Sequence, residues 1–197
     1  MKNYLHTFVT AVLAGLCIGI GGIVFLSVEN KVVGSVLFAV GLYAICAHGL
    51  SLFTGKVGYL VNEKPKYLLN LAVIWLGNLA GTWLSAVCAR ATRISGITER
   101  ATAMADVKTA DSLVSLFILG IFCGMLMYIA VEGYKRVKNP LMLVFPVSVF
   151  ILCGFEHCIA DMFYFSLAGW SIKAVIATLV ITVGNGVGGV LLPLAEK

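Results

Sequence analysis

Six apolar stretches, each long enough to cross a bilayer, take up almost all of this 197-residue chain. A spanning helix needs about 20 mostly apolar residues. The stretches cover about 7–28, 32–52, 67–89, 112–131, 140–167 and 170–194. Too little chain remains for a separate water-soluble catalytic domain. Composition agrees: 60% of the residues are hydrophobic and 12% charged, where a soluble domain has roughly 25% charged. With a mean hydropathy of +1.01, a soluble fold and a disordered chain are both excluded. An all-α integral membrane protein with many spans follows.

The opening run, MKNYLHTFVTAVLAGLCIGIGG, is long enough to span and lacks a small-x-small cleavage site. It reads as the first transmembrane helix and not as a cleaved signal. Connections such as NEKPK and EGYKRVKN are short and polar, and the longest, Arg90 to Asp111, has room for a short helix at the membrane surface. Six crossings put both termini on one side. Placed in the cytoplasm, that side carries eight basic residues against six on the other, the direction of the positive-inside rule.

Gly77-Asn78-Leu79-Ala80-Gly81 in the third stretch recurs as Gly184-Asn185-Gly186-Val187-Gly188 in the sixth, and Gly15 and Gly19 match Gly120 and Gly124. The chain thus divides into repeats of about 7–89 and 112–194 within one channel domain spanning 1–197. Three spans per repeat is an odd number, so the halves lie inverted in the membrane, an arrangement that places a site between them at mid-membrane. Polar residues interrupt the second and fifth stretches, at Ser51–Lys56 and Gly154–Asp161. Such breaks at matching places point to the site, because unwound backbone must line a cavity or be buried in protein.

Glu156, His157 and Asp161 form the one strongly polar cluster deep in an apolar stretch. Ionisable groups there are costly and by default functional, and His157 titrates near neutral pH. A purely structural role, capping the broken helix, stands beside this for Glu156 and Asp161. His48 fits packing in the second stretch, and His6 lies near the surface. The six cysteines contain no Cys-x-x-Cys pair and read as small packing residues. No metal-ligand spacing, phosphate loop or nucleophile elbow is present, and the basic residues lack interleaved aromatics. No enzyme, metal, cofactor or nucleic-acid role is expected.

Leu52-Phe53-Thr54-Gly55, Gly77-Asn78-x-x-Gly81, Gly154-Phe155-Glu156-His157-x-Ile159-Ala160 and Gly184-Asn185-x-x-Gly188-Gly189 together closely resemble the formate/nitrite transporter family, over essentially the whole chain. The resemblance implies an aquaporin-like fold of six transmembrane helices as two inverted three-helix repeats, with helices two and five broken. It implies a homopentamer in the lipid bilayer of the cell membrane, each protomer with its own pore, taking formate, nitrite or hydrosulfide with protons. It makes His157 the central histidine, Thr54 the loop threonine, Asn185 a pore asparagine and Lys108 a vestibule lysine. Pore-narrowing positions fall on Phe38 and Leu42 on one side and Phe150 on the other, with Phe53 a further constriction residue. Two positions depart from the family pattern and bear on substrate choice: Gly124 stands where an asparagine is usual, and Asp161 replaces the asparagine after the histidine motif.

A bare anion in an apolar constriction carries a desolvation cost of several kcal/mol, which protonation removes. The expected mechanism is therefore attraction by Lys108, passage through dry gates and transient neutralisation at His157, with Glu156 tuning the imidazole. The proton comes either from the imidazole or from bulk water, His157 then serving as a hydrogen-bond partner. A neutral-solute channel for water or ammonia on the same scaffold is the alternative. A membrane redox subunit would need paired histidines, and a plain anchor leaves the repeat and the breaks unexplained.

Overall fold

The computed structural model describes residues 4–196. Among these are nine α-helices: α1 (Tyr4–Ser27), α2 (Lys31–Ala47), α3 (Phe53–Lys56), α4 (Tyr67–Arg90), α5 (Ile97–Ala110), α6 (Leu113–Val137), α7 (Leu141–Cys153), α8 (Cys158–Ala168) and α9 (Ile172–Ala195). A 3₁₀ turn, Val57–Val61, continues α3.

Only α1, α4, α6 and α9 are each long and apolar enough to cross a bilayer unbroken. A fifth crossing is the pair α7 and α8, bent by 54° at their junction. The second apolar stretch yields a helix of just 17 residues, α2, shorter than the expected 32–52. It stops because Gly49 adopts φ +64 and Leu50 N–H turns back to the Ile45 carbonyl at 2.9 Å, a glycine-based helix stop. The long connection does carry a helix: α5 buries Ile97, Ala101 and Ala105.

Close helix contacts build the core. α1 packs against α4 and α6 against α9, in both cases through glycines at backbone-to-backbone distance. A Cβ on Gly81 would stand 2.1 Å from the Val12 carbonyl oxygen, and one on Gly188 would stand 1.9 Å from that of Ile121. Small residues allow this approach, which supplies packing where lipid offers no hydrophobic drive. Between these pairs α2 faces α7. Trp75 of α4 donates through its indole N–H to the Thr182 hydroxyl of α9 at 3.0 Å, across a sequence separation of 107. The exterior is apolar, with Val36, Leu37 and Val40 of α2 and Ile172 of α9 exposed. This is the surface of a multi-pass membrane protein.

Candidate functional site

α7 ends where Gly154, at φ +70, takes the left-handed conformation, and Phe155 N–H closes onto the Phe150 carbonyl at 2.9 Å. The next helix, α8, starts at Cys158, capped by His157: its Nδ1 accepts the Ala160 amide hydrogen at 3.1 Å. The other ring nitrogen, Nε2, lies 2.9 Å from the Thr54 hydroxyl. With Nδ1 occupied as an acceptor, the ring proton is on Nε2, and His157 is a neutral donor toward Thr54. Both residues are buried, at 2% and 1% exposure. The two chain breaks therefore meet at one hydrogen bond.

Two asparagines hold these breaks open. Asn185 accepts the Cys158 amide hydrogen at 2.9 Å and donates to the carbonyls of Gly120 and Glu156, each at 2.8 Å. Asn78 accepts from Phe53 N–H at 2.9 Å and donates to the carbonyls of Ala11 (2.8 Å) and Ser51 (2.9 Å). Each amide satisfies one N–H and one carbonyl left bare by the break and ties them to a carbonyl of a neighbouring continuous helix. Asn185, expected to face the pore, is fully buried with its amide engaged on main chain. Asn78 is not among the residues expected at the site, although the repeated Gly-Asn dipeptide carries the signal.

A cavity of about 380 Å³ opens beside the imidazole, lined by Lys108, Phe150, Glu156, His157, Asp161 and Tyr164 among others. α5 supplies Lys108, whose ammonium bonds Glu156 and reaches Asp161 at 2.9 Å. Burial works against that charge, but Asp161 and Glu156 outweigh it and hold the ammonium above the ordinary lysine value. Glu156, expected to tune the imidazole, thus directs its carboxylate to Lys108. At the far end of α2 a smaller cavity of about 90 Å³ is lined by Lys56, Lys135 and Lys138.

Lys31 at the start of α2 borders the first cavity and Cys46 near its end borders the second. Between them Phe38 and Leu42 are each 1% exposed. Phe150 lies stacked on His157 (ring centres 5.6 Å apart, planes at 21°) and edge-on to Phe38 (6.0 Å, 88°). The expectation that Phe38 and Phe150 sit on opposite sides of the site is corrected, since the two rings touch. Phe53 instead borders a groove with Trp75, Leu179 and Val183, away from the Lys108 cavity. Gly124 leaves no room for an asparagine: a Cβ there would stand 2.3 Å from the Asn185 carbonyl oxygen. Its role is the α6–α9 contact. All six cysteines are free thiols, and no cluster that would hold a metal occurs among the described residues.

Two lysine-bearing cavities lie at opposite ends of one short helix, with buried aromatic and aliphatic side chains between them. The chain belongs to the formate/nitrite transporter family, whose model matches residues 1–195. It is 30% identical over 189 residues to the formate channel FocA of Escherichia coli (strain K12), covering 82% of this chain. To FocA of Haemophilus influenzae it is 27% identical over 189 residues, again 82% of this chain. The chain spans 66% of the length of both relatives. In fold it is similar to a pentameric formate channel with formate bound (TM-score 0.85, 23% identity, 99% of this chain and 96% of that one). It is similar also to an FNT family ion channel (TM-score 0.88, 25% identity, 97% and 88%). The family is one of transporters and not of enzymes.

Proposed function

We propose that this protein forms a pore for small monovalent weak-acid anions, formate first, with nitrite and hydrosulfide as further substrates. The supporting observation is the Thr54–His157 hydrogen bond, buried where the two chain breaks meet and bordered by the lysine-bearing cavity. An anion drawn in by Lys108 reaches a site where Nε2–H of His157 and the Thr54 hydroxyl offer hydrogen bonds in place of water. Phe38, Leu42 and Phe150 keep hydrated ions out by their dry surface. Flux is proton-linked, because only the neutral acid crosses such a constriction cheaply. In this reading α2 with α3 completes a sixth crossing, the halves form two inverted three-helix repeats, and the protein is a homopentamer in the cell membrane with both termini cytoplasmic.

The test is flux into proteoliposomes with formate, nitrite and hydrosulfide over several pH values, for the natural chain and His157→Asn. Formate flux that rises on acidification and drops at least about tenfold in the variant is expected, the scale set by losing one buried charge-stabilising hydrogen bond. Full, pH-independent flux through His157→Asn would sink the histidine-centred reading. One observation favours a second reading, a channel for water or ammonia: Lys108 is already engaged by two carboxylates. Free permeation of those solutes with no anion flux would select it.

A further inference from the structure

The cluster at Lys108 holds more negative charge than it balances. Glu156 and Asp161, at 5% and 1% exposure, share a single ammonium. Fully ionised, the three groups carry a net charge of −1 at the largely buried wall of the cavity. Two carboxyls sharing one site resist joint ionisation, and an uncompensated charge at membrane depth is costly. One oxygen of Asp161, Oδ1, accepts from Lys108 at 2.9 Å. The other, Oδ2, is buried with no hydrogen-bond partner, which a charged carboxylate oxygen rarely tolerates.

Among the described residues, no neighbouring group supplies the missing positive charge. His157 is a neutral donor with Nδ1 engaged. Tyr164 on α8 lines the same cavity with a phenol, which brings no positive charge. From α4, Arg90 is turned to the carbonyls of Ser166 and Leu167. From α2, Lys31 borders the same cavity but is exposed and forms no ion pair among the described residues.

We propose that the Glu156–Asp161 pair holds one proton at neutral pH, on Oδ2 of Asp161, and that this proton accompanies the anion through the pore. The first half stands on the cluster alone, and the second rests on the proposed anion channel. In the transfer an anion displaces a carboxyl at Lys108. The Asp161 O–H bond breaks as the bond from hydrogen to the anion forms. The neutral acid leaves past Phe150, and the Asp161 carboxylate takes up a proton that enters from bulk solution through the cavity, which returns the pair to its starting state. His157 keeps its own proton throughout.

The experiment is infrared difference spectroscopy of the full chain in bilayers, comparing the natural protein with Asp161→Asn and Glu156→Gln, followed by formate flux against pH. A protonated-carboxyl C=O band at neutral pH, shifted in heavy water and lost in each variant, is expected, since either change leaves one carboxylate for one ammonium. Glu156→Gln serves if Asp161→Asn fails to assemble. No such band in the natural protein, or one that survives in Asp161→Asn, overturns the retained proton. Natural flux should fall about tenfold on the alkaline side as the pair loses its proton and repels anions, and Asp161→Asn should lose that fall. An unchanged profile overturns the transport half. Absence of formate flux at every pH overturns that half together with the anion-channel reading, while the band still decides the retained proton.

Discussion

Thr54 Oγ1 and His157 Nε2 lie 2.9 Å apart although 103 residues separate them in sequence. The same imidazole caps α8 through Nδ1, so one ring ties a helix start to the other chain break. The capping role of His157 and the transport role proposed for it separate by substitution.

Asparagine is a strong N-cap residue, whereas alanine is a poor one, with a difference of about 1 kcal/mol. His157→Asn should keep the cap and unfold in detergent within a few degrees of the natural protein, while losing formate flux. His157→Ala should lose flux and stability together. Equal thermal midpoints for the two variants would show that the cap contributes nothing.

Asn78→Leu and Asn185→Leu each strip a helix start of its acceptor and leave one carbonyl of the break, Ser51 or Glu156, without its side-chain donor. Buried polar groups left unpaired cost about 1–3 kcal/mol each. Both variants should fall by similar, large amounts in thermal unfolding, and a natural midpoint for either contradicts the pinning role.

Gly124→Ala places a methyl 2.3 Å from a backbone oxygen, whereas Gly186→Ala meets nothing nearer than Val57 at 3.7 Å. Overpacking of this kind costs about 1–3 kcal/mol or more. Gly124→Ala should lower the unfolding midpoint and Gly186→Ala should leave it nearly unchanged, a contrast that one melting experiment checks.

Lys56 opens into the smaller cavity with Lys135 and Lys138. Its charge attracts anions from that end, an effect screened over about 8–10 Å at ordinary ionic strength. Lys56→Gln should slow formate flux about threefold at low salt and much less in concentrated salt. A deficit that does not shrink with salt would assign Lys56 a structural role.

The end of α9 is tethered by Glu196, which accepts from Arg136 at 2.9 Å and from the Tyr128 hydroxyl at 3.0 Å. Arg136 first, and then Tyr128, hold its carboxyl below the ordinary glutamate value. A depressed acid stabilises the fold above its unfolded value, about 4.3, and loses that contribution as pH falls through the lower folded value. Hydrogen exchange at the last turn of α9 should therefore speed up only under strongly acidic conditions, and Glu196→Gln should abolish that change.

Hydropathy alone reveals the spanning segments, because length and apolarity are properties of each segment by itself. The breaks are legible too, since glycines and charged residues inside an apolar run interrupt the pattern that a continuous span requires. Pairings are not. Glu156 and Lys108 lie 48 residues apart, and nothing local announces that α5 folds back to bring an ammonium to the broken helix. The same holds for Phe38 and Phe150, whose contact depends on α2 facing α7. At Gly124 the family pattern suggests a lost pore amide, yet helix proximity, which a sequence does not display, accounts for the residue.

Phe150 touches Phe38 with its edge and His157 with its face. A rotation of that ring large enough to part it from Phe38 also strips the imidazole of the surface on which it rests. Phe150 thus couples its two neighbours mechanically, so that a movement of its ring is felt at Phe38 and at His157 alike.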